Sequence, residues 1–503
     1  MNSRLAATIP PLSLDGRGAG GEGEGAPRSA GNPPLSPTPL PQGERGFCAQ
    51  QPAAGKIARF GLFLRRHQRA IIALQWFIVL LYAAMVIAPA FIPLPEGDAH
   101  IWNNLRLFAQ FCFWGLWWPG VMVATVTLGR VWCGLLCPEG VLAEWASRHG
   151  RGKAVPGWLK WAGWPFAAFV LTTVYGQLVS VYEYPQATLL ILGGSSLAAA
   201  VTGLLYGREK RIWCRYLCPA SGVFAILAKI APLHYQVDRA AWDRYRGEVK
   251  PVNCAPLVDI RRMNSASECH ACGRCAGQRG AVAYSLRSPF AETLDPAAPA
   301  RTAEALTLIY GILGVATAAF QWTVSPWFLG IKLALAEWLV DHEYFALLDN
   351  DIPWWLLTHY PEASDLFTWL DGGLILAYLL GGGFLLGSLV LSGPLLAARL
   401  LQNPALSWQR LTLALTPLAG ASVILGLSML TVSHLKAEHL WLGWLPWCRA
   451  ALLAVGCLAS LRLACGLIAT ATASPARRAA ACLALFASTT WMAGVWILVF
   501  FIW

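Results

Sequence analysis

The sequence RVWCGLLCP at residues 130–138 returns as RIWCRYLCP at residues 211–219, an offset of 81 residues. Each copy directly follows an apolar run, and each precedes a stretch with the pattern of a short amphipathic helix, about Val141–His149 and Val223–Leu233. The repeated unit is therefore a membrane span, an R-x-W-C-x3-C-P motif and a helix at the membrane surface. Duplicated membrane units commonly pack about a pseudo-symmetry axis, which would bring the four motif cysteines together.

The composition of the whole chain is that of a membrane protein. Of 503 residues, 56% are hydrophobic and only 13% are charged, against about 25% charged in an ordinary soluble domain. Apolar runs of about 20 residues, the length that spans a hydrocarbon core, recur along the sequence. These features exclude a soluble enzyme. The net charge of +11 lies in short loops between the runs, which indicates membrane orientation rather than nucleic-acid binding.

The apolar runs predict about nine transmembrane helices. They lie at about 70–92, 105–128, 158–182, 187–206, 303–322, 366–393, 411–432, 445–471 and 480–502. The predicted organisation has four parts: a disordered Gly- and Pro-rich leader at 1–56, a four-span domain at 57–232, a polar segment at 233–300, and a C-terminal membrane domain of unassigned role at 301–503. The fold class is all-α and polytopic, with one small segment outside the membrane.

The charges of the loops predict the orientation. Basic residues are frequent at 129–157, 207–300 and 394–410, whereas the loop at 323–365 is markedly acidic and a short acidic turn contains Glu96 and Asp98. Short cytoplasmic loops carry an excess of Lys and Arg. Both motifs and the polar segment are therefore predicted on the cytoplasmic side, and the acidic loop outside.

The repeated motif has the chemistry of an iron–sulfur ligand set. C-x3-C-P is the closing half of the bacterial ferredoxin run, whose cysteines hold [4Fe–4S] clusters. A cluster with four thiolates is net anionic, so Arg130, Arg211 and Arg215 would offset its charge. Disulfides are disfavoured in a reducing cytoplasm. Zinc binding and thiol chemistry remain the alternatives.

The polar segment adds Cys269, Cys272 and Cys275 in a C-x2-C-x2-C spacing, the opening half of the same ferredoxin run. The continuation departs from the pattern, because no fourth cysteine and no proline follow at the expected spacing. Cys254 is the nearby candidate for the fourth ligand. His270, between two of these cysteines, could tune a bound cluster by hydrogen bonding.

Eight cysteines then suffice for two [4Fe–4S] clusters. They are Cys133, Cys137, Cys214, Cys218, Cys254, Cys269, Cys272 and Cys275. Their pairing stays open, since in two-cluster ferredoxins the proline-adjacent cysteine ligates the other cluster. Cys137 or Cys218 could complete the Cys269–Cys275 set. The default grouping is the four motif cysteines and the four cysteines of the polar segment.

These motifs, over residues of about 60–290, resemble the NapH/NosR/CcoG-type membrane-bound polyferredoxins, a 4Fe-4S binding family. The resemblance implies a ferredoxin-like character for the polar segment and a place in the bacterial inner (cytoplasmic) membrane. Matched by position, Cys133, Cys137, Cys214 and Cys218 resemble the membrane-proximal ligands of that family. This chain has one abbreviated ferredoxin run where many relatives have two, and residues 301–503 match no part of the family.

The predicted function is electron transfer through two [4Fe–4S] clusters, as a carrier or oxidoreductase subunit rather than a stand-alone enzyme. The resemblance implies a respiratory setting, a redox partner protein and the quinone pool as a partner, and the placement of the basic residues in short loops indicates no nucleic-acid partner. One alternative is a copper- or iron-reducing oxidase-assembly factor. A second is a transporter or sensor in which cysteines bind zinc structurally.

Overall fold

The structure, a computed structural model, describes residues 55–95, 99–249 and 251–503. The predicted leader lies outside these residues apart from its last two positions, and so do Glu96 and Asp98. The protein is mostly helical, at 70%, which confirms the helical class.

Eight helices in the described ranges are long and apolar enough to cross a membrane. They are Gln68–Phe91, Leu105–Leu128, Pro185–Leu205, Thr302–Val324, Trp369–Leu401, Thr416–Ala437, Leu445–Ala469 and Pro475–Ile502. Each coincides with one of the predicted apolar runs. The prediction of a membrane protein with many spans is confirmed.

The remaining predicted run, 158–182, contains a shorter helix. Trp164–Leu178 has 15 residues and is about 22 Å long, whereas the hydrocarbon core is roughly 30 Å thick. The contacts at its two ends are with different parts of the chain. Pro165 packs against Gly222 beside the second motif, and the last carbonyl oxygen of the helix accepts from the backbone N–H of Thr358 at 2.9 Å. The count of nine spans is not confirmed.

The acidic loop at 323–365 contains a helix that the sequence did not predict. Pro326–Asp341 has 16 residues and follows Ser325, whose side chain accepts a hydrogen bond from the backbone N–H of Phe328. Many of its large apolar side chains are exposed. The acidic residues at its C-terminal half gave this stretch the appearance of a loop, although a serine cap and a proline are helix-start signals.

The two motifs adopt the same local structure. A five-residue helix carries the first cysteine of each pair, at Val131–Leu135 and Ile212–Tyr216. A second helix begins at the motif proline, giving Pro138–Arg148 and Pro219–Leu227. Proline suits a first helical position because the N–H it lacks would have no partner there. Both predicted amphipathic helices are therefore present, starting slightly earlier than expected.

The polar segment contains a two-stranded antiparallel ribbon. Leu233–Val237 pairs with Val282–Leu286, and Tyr235 lies opposite Tyr284. The N-terminal helix Lys56–Arg66 covers this ribbon, with its Gly61 against Tyr284. The ribbon closes the ends of the stretch that holds Cys254–Cys275, so this stretch is anchored at both sides.

The motif-bearing helices and the C-terminal helices share one core. Val121, Leu227, Ile309, Leu418 and Trp496 belong to a single cluster of buried apolar side chains. Residues after 300 therefore pack directly against the duplicated units. Cys465 and Cys482 bring their Sγ atoms to 3.4 Å between the last two spans.

Candidate functional site

The four motif cysteines surround one cavity. Cys133, Cys137, Cys214 and Cys218 all line a space of about 240 Å³ at the end of the duplicated units. Cys133 and Cys214 are buried within their short helices, at 7% and 6% exposure. The structure thus brings together residues that are 81 positions apart, as the pseudo-symmetric packing of two units would do.

The four remaining predicted ligands surround a second, smaller cavity. Cys254, Cys269, Cys272 and Cys275 line a space of about 20 Å³ within the polar segment. Cys137 and Cys218 do not reach this wall and lie with the first set. In this arrangement Cys254 stands beside the C-x2-C-x2-C run. We refer to the two groups as the motif set and the segment set.

The environment of these cysteines does not suit free reactive thiols. Burial raises the pKa of Cys214 to about 12, although the Arg211 guanidinium lowers it. Burial also raises the pKa of Cys269 to about 12, and the neighbouring thiols of the segment set contribute. Nucleophilic cysteines have low pKa values and solvent access. Buried thiols give up their protons readily only to a bound metal, so the sites fit metal ligation better than catalysis by sulfur.

The arrangement of the thiols around each cavity suits a [4Fe–4S] cluster. In the described part of the chain, no group of three or more His, Cys, Asp or Glu side chains could hold one metal ion. Each cysteine set is instead spread around a cavity wall. In a [4Fe–4S] cluster each thiolate binds a different iron, so the ligands need not converge on one point. The residues present therefore fit a [4Fe–4S] cluster.

Arg211 supplies positive charge between the two sets. Its guanidinium is 2% exposed, donates from Nε to Glu144 at 2.9 Å and donates from Nη1 to the Cys133 carbonyl oxygen at 2.5 Å. Its Nη2 is buried with no hydrogen-bond partner in the described residues. Cys214 and Cys272 both interact electrostatically with it. A buried cation with a spare donor, next to thiols of both sets, matches the net negative charge of bound clusters.

The other predicted neighbours of the clusters have distinct places. Arg130 is buried and donates to the Ser267 carbonyl oxygen at 2.6 Å and to Ser221 Oγ at 2.9 Å. Arg215 is partly exposed and pairs with Glu268 at 3.7 Å. His270 is 3% exposed. Burial and the nearby arginines hold its pKa well below the usual value, so its ring is neutral at pH 7.

The two cysteine sets meet through backbone contact at Gly134. This glycine lies between the cysteines of the first motif, and any side chain there would overlap the carbonyl oxygen of His270 and the backbone of Cys272. Two glutamines of the first span fix the contact. Gln75 Nε2 donates to the Gly134 carbonyl oxygen at 2.9 Å, and Gln68 Nε2 donates to that of Cys272 at 3.2 Å.

Two buried carboxylates near the motif set escaped the sequence prediction. Glu144 accepts from Arg211 and from Arg274, at 2.8 Å for the latter. Burial would raise its pKa, but the two guanidiniums hold it below the usual value. Glu139 accepts from Trp213 Nε1 at 2.8 Å and from a serine hydroxyl of the fourth predicted run. For Glu139 the repeat itself contained a signal, because the two copies differ at this position. The first copy reads Cys-Pro-Glu and the second reads Cys-Pro-Ala.

A third missed group ties the polar segment to the membrane helices. Lys229 is buried and lies 3.3 Å from Glu292 and 3.2 Å from Glu304. Arg287 also pairs with Glu292, at 2.7 Å. Glu292 accepts further hydrogen bonds from residues just before the C-x2-C-x2-C run. Breaking one partner of such a buried pair costs about 3–5 kcal/mol, so this network holds the segment set in place.

Comparison with known proteins identifies the duplicated unit. A family model described as a 4Fe-4S binding domain matches twice, at residues 111–156 and 189–234. Each match contains one C-x3-C-P motif, and neither extends to the segment set. No curated protein and no solved structure matches the chain. The protein thus combines two 4Fe-4S binding domains, with their iron–sulfur and electron-transport character, with membrane-spanning helices.

Proposed function

We propose that this protein relays single electrons through two [4Fe–4S] clusters at the cytoplasmic face of the membrane, as part of respiratory electron transport. The observation that carries the proposal is the grouping of eight cysteines into two sets of four, each around its own cavity. The two family matches support the iron–sulfur character of the motif set. The ferredoxin spacing of Cys269–Cys275 supports that of the segment set.

A bound [4Fe–4S] cluster supplies reversible one-electron chemistry. The chain's own residues would set where that chemistry occurs and at what potential. Arg211 places a buried positive charge between the sets, and Glu144 with Arg274 holds that arginine in position. Gly134 allows the backbones of the two sets to touch. Short separation favours electron transfer between the sets, so we assign this contact as the junction of the relay.

The quinone pool is the proposed membrane partner. Besides the motif set, the 240 Å³ cavity is lined by aromatic side chains of the membrane-spanning helices, among them Trp114, Trp117 and Phe320. Its wall is mostly apolar, with Tyr82 and Glu139 among the few polar groups. Sites of this kind suit a hydrophobic redox carrier that enters from the lipid. A redox partner protein would exchange electrons at the segment set.

The charge distribution supports a cytoplasmic location for both sets. Basic residues gather at the end of the molecule that holds the cysteines, where Arg65 Nη1 donates to the Ala276 carbonyl oxygen at 2.6 Å. Four carbonyl groups of residues 293–298 accept from Arg410 at the same end. Acidic groups such as Asp365 and Glu438 contact residues of the opposite end. This is the asymmetry that the positive-inside rule describes.

The test is anaerobic purification with iron and acid-labile sulfide analysis and electron paramagnetic resonance of the reduced protein. The proposal predicts about eight iron and eight sulfide per chain. Cys214→Ser changes the motif set and Cys254→Ser changes the segment set. Each variant should lose about half of the iron. Cys457→Ser, in helix Leu445–Ala469 and outside the walls of both cysteine cavities, is the matched control and should keep the full iron content. Zinc without sulfide would overturn the proposal.

A further inference from the structure

A polar cavity of about 220 Å³ lies beside the motif set, separate from the two cysteine cavities. Its wall comes from both motifs, the helix after the second motif, the polar segment and the starts of helices Trp164–Leu178 and Thr302–Val324. Cys214 contributes to the wall, so the cavity adjoins the cysteines that we assign to one cluster. Neither the cluster-binding role nor the quinone role uses this space.

Positive charge dominates the wall. The charged residues are four cations and two carboxylates: Arg130, Lys160, Arg215, Arg301, Glu268 and Glu304. Glu268 is shared between Arg215 at 3.7 Å and Arg301 at 2.8 Å. Glu304 lies 3.2 Å from Lys229, which is not in the wall. The carboxylates are therefore already neutralised.

Two of the four cations, Arg130 and Lys160, have no carboxylate partner among the described residues. Arg130 is 5% exposed and donates only to neutral oxygens, while its Nε has no hydrogen-bond partner in the described chain. The same holds for Nδ1 of His270, which is also in the wall. Arg130 and His270 each border a cysteine cavity as well. A buried guanidinium with an unpartnered N–H is costly, and an anion in the cavity would accept a hydrogen bond from it.

The cavity opens where lipid headgroups would lie. Lys160 and Trp161 precede the apolar helix Trp164–Leu178, and Trp158 and Trp161 are exposed at 62% and 58%. Exposed tryptophans at the end of an apolar helix mark the membrane–water interface. Basic pockets between membrane helices bind anionic headgroups. The chemistry that fits both the charge and the position is a phosphate group.

We propose that this cavity binds a phosphate group, held by Lys160 and Arg130. The phosphate could belong to an anionic phospholipid or be free, and the recognition chemistry is the same. An anion next to Cys214 would also lower the midpoint potential of a cluster in the motif set, because it partly cancels the positive charge around it. This second consequence rests on the proposed function, whereas phosphate binding itself does not.

The binding experiment uses the full chain in nanodiscs of phosphatidylcholine. One arm adds phosphatidylglycerol and measures retained lipid by native mass spectrometry, and the other adds inorganic phosphate and measures binding by calorimetry. Lys160→Gln should weaken binding about tenfold, the effect of one charge-assisted hydrogen bond, and Lys160→Arg should largely restore it. Lys153→Gln changes an exposed lysine of the same stretch outside the cavity and is the matched control.

Each outcome decides the proposal. Retention of phosphatidylglycerol that depends on Lys160 supports a lipid phosphate, and phosphate binding that depends on Lys160 without lipid preference supports a free one. No binding in either arm, or equal losses in the Lys160→Gln and Lys153→Gln variants, would overturn it. Binding by a protein that contains no iron or sulfide would retain the phosphate site and refute only the electron-transfer function. In the iron-loaded protein, a bound phosphate should shift the midpoint potential of one cluster negatively, and Lys160→Gln should abolish the shift.

Discussion

The two copies of the motif share a backbone but differ in what surrounds them. At the third position before the second cysteine, the first copy has Gly134 and the second has Arg215. Gly134 touches the backbone of the segment set, whereas Arg215 is partly exposed and reaches Glu268. The shared residues hold the thiols, and the residues that differ determine which copy meets the second cysteine set.

The two motif arginines cross between copies. Arg130 of the first copy donates to Ser221 in the helix after the second motif. Arg211 of the second copy packs against Gly140, the equivalent position after the first motif, and donates to the Cys133 carbonyl oxygen. This reciprocal contact is what a pseudo-twofold arrangement produces. The partners differ, because only Arg211 has a carboxylate partner, Glu144. Equivalent substitutions in the two copies should therefore have unequal effects.

The largest difference is expected for the arginines. Arg211→Gln leaves Glu144 with Arg274 and Arg148 only, and removal of one partner from a buried ion pair costs about 3–5 kcal/mol. Arg130→Gln removes hydrogen bonds to neutral oxygens and should cost about 1–3 kcal/mol. Chemical unfolding in detergent measures both. Equal losses, or a larger loss for Arg130→Gln, would contradict the asymmetry of the two copies.

The next largest effect is expected at the junction of the two cysteine sets. Gly134→Val inserts a branched side chain against the His270 carbonyl oxygen and should cost about 1–3 kcal/mol by overpacking. Because the backbones of the two sets must separate, we also expect the segment set to lose its iron before the motif set does. Gly120→Val, at a membrane-helix glycine with open space around it, is the control. Unchanged iron and stability in Gly134→Val would show that the contact is dispensable.

A smaller difference is expected for the motif tryptophans. Trp213 donates its indole N–H to the buried carboxylate of Glu139, whereas Trp132 packs edge-on against Trp117 with ring centroids 5.0 Å apart. Trp213→Phe should cost about 1–3 kcal/mol because it removes a hydrogen bond to a buried charged group. A Trp213→Phe, Glu139→Ala double variant should be less than additive, since either change removes the same hydrogen bond. Full additivity would mean that the cost of Trp213→Phe does not come from its hydrogen bond to Glu139.

The sequence predicted the features that follow from local composition. Eight apolar helices, the helix after each motif and the proximity of the four motif cysteines all derive from periodicity, proline position and duplication. Trp164–Leu178 was predicted too long because the apolar run includes residues 157–163, which form a separate 3-10 helix at Gly157–Lys160 and a turn before the α-helix begins. Glu144, Glu139 and the Lys229 network could not be predicted. Their function depends on partners 60 or more residues away, and a single sequence does not specify those contacts.

The smallest effect is expected at Arg215, the counterpart of Gly134. Its ion pair with Glu268 is partly exposed at 3.7 Å, and Glu268 keeps Arg301 at 2.8 Å when Arg215 is removed. Exposed pairs of this kind contribute about 0–1 kcal/mol, so Arg215→Ala should barely change the free energy of unfolding. Iron and sulfide content should stay at the level of the unmodified protein. A loss as large as that of Gly134→Val would mean that both copies of the motif support the segment set, and the division of roles between them would fail.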